Sequence, residues 1–191
     1  MIIFKIAYWV GIVVQVVLRA PFAMQVRSSK KTDRRVSRTE TILLGLLTIG
    51  GAVIPLVYTF TPWLDFANYS LPPWLGYAGI AVLAASLYLF GRSHADLKSN
   101  WSSSLEIYEG HSLVTSGIYR YIRHPMYASQ LVAAVAQVLL LQNWIAGLTG
   151  LVVFILFYTL RIGAEEKMML ETFGEQYRQY MQNTGRIIPK L

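Results

Sequence analysis

Five apolar segments constrain this chain more than any other feature. They are residues 2–18, interrupted only by Lys5 and Gln15; 41–60, with Pro55 and no charge; 74–90; 125–141; and 144–160. A helix that crosses a bilayer needs about 20 mostly apolar residues, with a range of roughly 17–25. Each segment meets or approaches that length. Only 14% of the 191 residues are charged, against roughly a quarter in soluble domains, which excludes an ordinary soluble globule. A mean hydropathy of +0.43 excludes a disordered chain as well. The expected fold is an all-α integral membrane protein, a single domain of five transmembrane helices. Gln142 and Asn143 alone separate the last two segments, so these should form a tight antiparallel hairpin.

Segment 2–18 has no small-residue cleavage site, and basic residues follow it instead of preceding it. It therefore reads as a retained span and not as a signal peptide. With five spans, sixteen of the seventeen Lys and Arg residues fall on one side and only Lys5 on the other. Lys and Arg collect on the cytoplasmic side, so the N-terminus is expected outside and the C-terminus inside. Tyr58, Trp63, Tyr69, Trp74, Tyr77 and Trp144 would form the aromatic belt at the outer interface. The basic run 27–38 reads first as a topology signal, with anionic-lipid contact as the alternative. The same bias accounts for the net charge of +7 without a nucleic-acid partner. A chain this small points to a prokaryotic plasma membrane.

The sequence has no cysteine, hence no disulfide, no thiolate nucleophile and no cysteine-ligated metal. His94, His111 and His124 are spaced by 17 and 13 positions, which is not a metal-ligand spacing, and no metal is expected. Chemistry is then left to the cytoplasmic loop 91–124 and the tail 163–191. The loop is aromatic and too long for a bare connection. Gly117 marks a turn. Pro125 suits the first position of the fourth helix, whose free N–H groups favour an anion. His124 stands at that end, where a plain helix cap is the simpler reading. Arg161 and Glu165 lie four apart on one helical face, read either as an ion pair at the membrane boundary or as the flank of a pocket. Met169, Leu170, Phe173, Tyr177, Tyr180 and Met181 recur at helical spacing and read as the packing face of an amphipathic tail helix, with Gly174 as its weak point.

Four ordered strings complete the pattern. They are Asn100-Trp101-Ser102; Gly110-His111 through Leu113-Val114-Thr115 to Gly117 and Tyr119; Arg123-His124-Pro125-Met126-Tyr127; and Glu165-Glu166, followed by Leu170, Phe173-Gly174, Tyr177, Tyr180, Arg186 and Pro189. Together they resemble the isoprenylcysteine carboxyl methyltransferase family, especially its short prokaryotic members, and more distantly the membrane phospholipid methyltransferases. The resemblance covers roughly residues 96–189.

The resemblance implies S-adenosylmethionine as methyl donor, with S-adenosylhomocysteine as product, bound in a core spanning residues 91–191. It implies donor contacts from His111, Ser112, Leu113, Val114, Tyr119, His124, Pro125, Met126, Tyr127 and Glu165. A further donor contact would fall near residues 104–106. Arg161 would orient the carboxylate of a lipophilic acceptor that enters from the bilayer. The leading expectation is O-methylation of an isoprenylcysteine-like carboxylate. One alternative is N-methylation of a lipid amine, with His124, Glu166 or His111 as base. The other is a non-enzymatic membrane scaffold.

Overall fold

The computed structural model describes residues 2–27, 31–34, 37–101, 106–108 and 111–190. Ser102 and Gly110 of the strings above, most of the stretch 104–106 and part of the basic run lie outside them. In chain order the elements are α1 (Ile2–Arg27), β1 (Lys31–Arg34), α2 (Arg38–Thr48), α3 (Ile54–Phe60), α4 (Pro73–Leu97), β2 (Glu106–Tyr108), α5 (Pro125–Leu141), α6 (Trp144–Phe173) and α7 (Glu175–Asn183). A π-helical turn, Ile49–Val53, joins α2 and α3 into one rod. Among the described residues four helices are long and apolar enough to cross a membrane: α1, the α2–α3 rod, α4 and α6. Helix α5 is apolar but shorter, at 17 residues.

The helices outrun the apolar segments from which they are expected. Helix α6 continues past Leu160 for another thirteen residues to Phe173. Its 30 residues span about 45 Å, more than the roughly 30 Å of a hydrocarbon core. Arg161–Met168 holds no proline, and its Arg, Ala, Glu, Lys and Met favour a helix strongly enough to carry it through Gly163. The tail is therefore not one separate amphipathic helix. Gly174, at φ +54, ends α6, and α7 starts in a new direction. A second difference is the antiparallel ribbon that pairs β1 with β2, Lys31 opposite Tyr108 and Arg34 opposite Glu106. The fold is thus helical with one small ribbon. Two loop segments without apolar periodicity satisfy their backbone groups on each other.

Polar anchors fix the helix packing. Gly50 in the π turn lies so close to α6 that a side chain there would press on the Thr149 carbonyl. Gln137 of α5 donates to the carbonyls of Gly50 (2.9 Å) and Ala146 (2.7 Å), and the Tyr8 hydroxyl donates to Gly51 (2.5 Å). The wide turn thereby engages α1, α5 and α6. At the α5–α6 turn Gln142 is left-handed, at φ 47. Asn143 Oδ1 accepts from the Ile145 and Ala146 amides as the N-cap of α6, while its Nδ2 donates to the Leu64 carbonyl (2.6 Å) and to Asn68 (3.0 Å). Phe4, Tyr8, Tyr58, Leu83, Leu140 and Ala146 form the core at this end, and Leu43, Tyr127, Phe154, Phe157 and Ile162 the core at the other. Trp63, Trp74, Tyr77 and Trp144 are exposed, as a belt requires, but Tyr58 is not part of it. Tyr58 is buried, with the Lys5 ammonium 3.8 Å above its ring.

Candidate active site

The site is assembled by two folded-back segments. Asp96, near the end of α4, accepts from the Ile118 amide (2.8 Å) and pairs with Arg92 (2.8 Å). Its carboxylate fills the space that a side chain at Gly117 would need, and Gly117 itself sits at φ +62. Here only glycine combines the backbone angle with the close approach. The turn it starts buries Tyr119, whose carbonyl accepts from the Tyr180 hydroxyl of α7 (2.6 Å). Asn100 Oδ1 accepts from the Ser112 amide (2.7 Å) and so holds the extended stretch that contains His111. Beyond α7 the chain returns alongside Ile122. The amides of Arg123 and His124 donate to the carbonyls of Gly185 and Arg186, both at 2.9 Å.

Pro125 occupies the first turn of α5, as its sequence context predicts, but the His124 side chain makes no capping bond. Instead its ring lies between two carboxylates. Nδ1 is 3.4 Å from Glu165 and Nε2 is 3.5 Å from Glu166. Burial by itself would lower the His124 pKa, but the two carboxylates together outweigh it, and the pKa is raised. Glu166 is further gripped by Arg123 (3.0 Å) and by a fork of two bonds from Arg186 (3.1 and 2.6 Å). That carboxylate in turn raises the Arg186 pKa. The Arg123 guanidinium also donates to the carbonyls of Met181 and Thr184. Glu165 accepts from the Tyr127 hydroxyl (2.5 Å) and faces Arg161 Nε at 3.6 Å. Arg161 Nη1 reaches Glu40 of α2 at 3.3 Å, a buried partner 121 residues away in sequence.

These groups border a cavity of about 780 Å³, within the size range of small-molecule sites. The stretch His111 to Val114, Tyr119, the stretch His124 to Tyr127, Arg161 and Glu165 all line it. Glu166 is directed into the arginine cluster. Met169, Tyr177 and Tyr180 of the tail stripe, with Met168 beside them, form part of its wall, so that face packs over the cavity. From the loop side the cavity continues between the helices to Tyr8, Gly51, Gln137 and Gly150. Burial lowers the His111 pKa, and its Nδ1 is buried without a hydrogen-bond partner. Among the described residues no three potential metal ligands cluster.

Sequence reasoning missed Glu40, Arg19 with its guanidinium over Trp101 (5.0 Å), and the cavity-lining Gln15 and Gln130. Gln15 had the clearest signal, as one of two polar interruptions of the first apolar segment.

Residues 78–171 match the family model of the isoprenylcysteine carboxyl methyltransferases. Over that stretch, just under half of its length, the chain is similar to this family. The chain is 38% identical over 81 residues to the protein-S-isoprenylcysteine O-methyltransferase of Schizosaccharomyces pombe, covering 42% of this chain and 34% of that one. To the Arabidopsis thaliana protein-S-isoprenylcysteine O-methyltransferase A it is 33% identical over 112 residues, covering 58% and 54%. A solved structure of the eukaryotic intramembrane Ras methyltransferase of the isoprenylcysteine carboxyl methyltransferase type superposes with a TM-score of 0.56 at 26% identity, covering 82% of this chain and 54% of that one. The chain thus spans about half or less of the length of these relatives. With four helices long and apolar enough to span a bilayer, the chain is a multi-pass membrane protein. Its family match includes His111, His124, Arg161 and the Glu165-Glu166 pair but stops short of the tail that holds Glu166 in place.

Proposed function

We propose that this chain is a membrane methyltransferase that uses S-adenosylmethionine to O-methylate a carboxylate on a lipophilic, isoprenylcysteine-like acceptor. The observation that carries the reading is one cavity lined both by the folded loop and by the interior faces of apolar helices, with Arg161 bordering it. Residues 1–191 act as one membrane domain of five spans, with the N-terminus outside, the C-terminus in the cytoplasm and the donor bound in the 91–191 core.

The residues present fit that donor. Its amino and carboxylate groups need a carboxylate and cationic or N–H donors. Glu165, the His124 imidazolium and the helix start at Pro125 border the cavity. The partnerless Nδ1 of His111 and the extended stretch to Val114 suit the remaining polar atoms. When bound, the donor supplies an electrophilic sulfonium methyl and a leaving group that needs no acid.

Arg161 grips the acceptor carboxylate through its forked, always-charged guanidinium. Glu40 and Glu165 share the same guanidinium, so the acceptor is oriented without its nucleophilicity being quenched. A terminal carboxylate, with a pKa of about 3.5, is ionised at neutral pH and needs no base. Catalysis is then positioning and exclusion of water. An amine acceptor would require a base. The groups beside Arg161 are already engaged: the His124 ring lies between two carboxylates, and Glu166 is bound by two arginines.

The test is calorimetric titration of the detergent-purified protein with S-adenosylhomocysteine, combined with a methyl-transfer assay. Glu165→Gln is expected to lose donor binding. Arg161→Gln, with Glu40→Gln to avoid stranding a buried carboxylate, is expected to keep donor binding and lose at least about a hundredfold in kcat/KM, roughly 2.7 kcal/mol of transition-state stabilisation. Equal loss of donor affinity in both would refute this division of roles.

A further inference from the structure

The membrane-embedded arm of the cavity is not purely apolar. Gln15 of α1 and Gln130 of α5 both line it. Among the described residues neither makes a hydrogen bond. The contrast with Gln137, one more amide on the same wall, is direct, because its Nε2 is spent on the Gly50 and Ala146 carbonyls. Gln137 is a structural amide, whereas Gln15 and Gln130 are amides with nothing to hold. A polar side chain inside a membrane span is costly, and it faces a cavity or a partner when it is kept. Both glutamines are half-buried, and the part of each left open lines the cavity. These two point at whatever fills the arm.

Their depth can be read from the helices. Helices α5 and α6 run antiparallel, with His124 beside Glu165 and Tyr127 packed on Phe157 and Tyr158. Arg161 is therefore near the level of His124 to Tyr127. Gln130 is three residues beyond Tyr127 and six beyond His124, about 4–9 Å deeper. Gln15 is four residues from Arg19 on the same face of α1, about 6 Å toward the membrane interior. An acceptor whose carboxylate meets Arg161 carries its fifth and sixth chain atoms into this zone, roughly 6–8 Å down an extended chain. A prenyl thioether has only hydrocarbon there.

Building on the methyl-transfer reading, we infer that Gln15 and Gln130 form a recognition site for a hydrogen-bonding group, an amide, in the upper tail of the acceptor. Among lipophilic acids, one that carries an amide at this depth is preferred over one of equal length that carries only hydrocarbon there. A carboxamide both donates and accepts, so it matches an amide in both senses. A site built to hydrogen-bond a substrate group discriminates strongly against an analogue that lacks it.

The test uses three acids with the S-adenosylhomocysteine-competent protein: N-palmitoyl-4-aminobutyrate, the plain saturated acid of equal chain length, and 3-(farnesylthio)propionate. The amide acid is expected to be methylated with kcat/KM at least tenfold above the plain acid, and the thioether acid serves as the reference for the methyl-transfer reading. Gln130→Leu and Gln15→Leu are each expected to shrink the preference over the plain acid at least fivefold. Unchanged S-adenosylhomocysteine affinity reports that the variants are folded. If no acid is methylated, calorimetric binding of the same three to the protein loaded with S-adenosylhomocysteine makes the comparison. Tighter, glutamine-dependent binding of the amide acid would then support this site while defeating methyl transfer. Equal handling of the amide and plain acids, or a preference that survives both substitutions, overturns the inference, whatever becomes of the methyl-transfer reading.

Discussion

His124 shows how far a side chain's role depends on partners distant in sequence. From its neighbours it reads as a cap for α5; in the fold its ring lies between the carboxylates of Glu165 and Glu166. Because its pKa is raised in the folded protein, it favours folding fully below its unfolded pKa, about 6.5, and that contribution is lost as pH rises through the raised value. Thermal stability of the wild type is therefore expected to fall as pH rises from about 6.5 through that raised value, and S-adenosylhomocysteine affinity with it. His124→Gln, which removes the titration, should flatten both profiles. A His124→Gln profile parallel to that of the wild type would show that the charge lies elsewhere. The Arg161–Glu165 contact was legible at this scale, because helical periodicity fixes neighbours four residues apart. Glu40 was not, because no local rule connects it to a partner on a helix far along the chain.

Apolar runs located every long helix, but they did not locate helix ends, because the backbone ladder continues wherever side chains tolerate it. They were also silent about the π turn and the β1–β2 ribbon, which exist through tertiary contacts. The α5–α6 turn was legible in its brevity, and Asn143 now explains its geometry. Asn143→Ala removes the cap, worth about 1 kcal/mol, and the two bonds that its Nδ2 gives to the Leu64 carbonyl and Asn68, worth about 0.5–1.5 kcal/mol each; the Leu64 carbonyl keeps the Ala67 amide. A drop of roughly 2–3 kcal/mol in unfolding free energy is expected by denaturant titration in detergent. Gly174→Ala acts on a different element. At φ +54 and ψ −125 a side chain costs about 1–3 kcal/mol, and α7 must swing. Because α7 holds the Tyr119 carbonyl through Tyr180, donor affinity should fall severalfold although residue 174 borders no part of the cavity. Donor affinity that stays at the wild-type value would show that α7 is not needed to keep the loop closed.

Taken as a whole, the molecule has one polar end and one aromatic end, and from the distribution of basic residues we propose that the polar end faces the cytoplasm. A chain without cysteine allows this to be measured one residue at a time. Trp63 and Arg178 are both exposed, at opposite ends. In intact cells an impermeant maleimide is expected to label Trp63→Cys at once and Arg178→Cys only after permeabilisation; the reverse order would invert the orientation. The return of the chain beyond α7 has a consequence for how the protein comes into being. Among the described residues the amides of Arg123 and His124 are satisfied by Gly185 and Arg186 alone, and Glu166 is held by Arg186. All five apolar segments precede these residues in the chain, so during synthesis they can enter the membrane first, and His124 has no fixed position until Gly185 and Arg186 follow. The newborn protein would therefore sit in the membrane with its cavity still open, and the stretch beyond α7 would complete it.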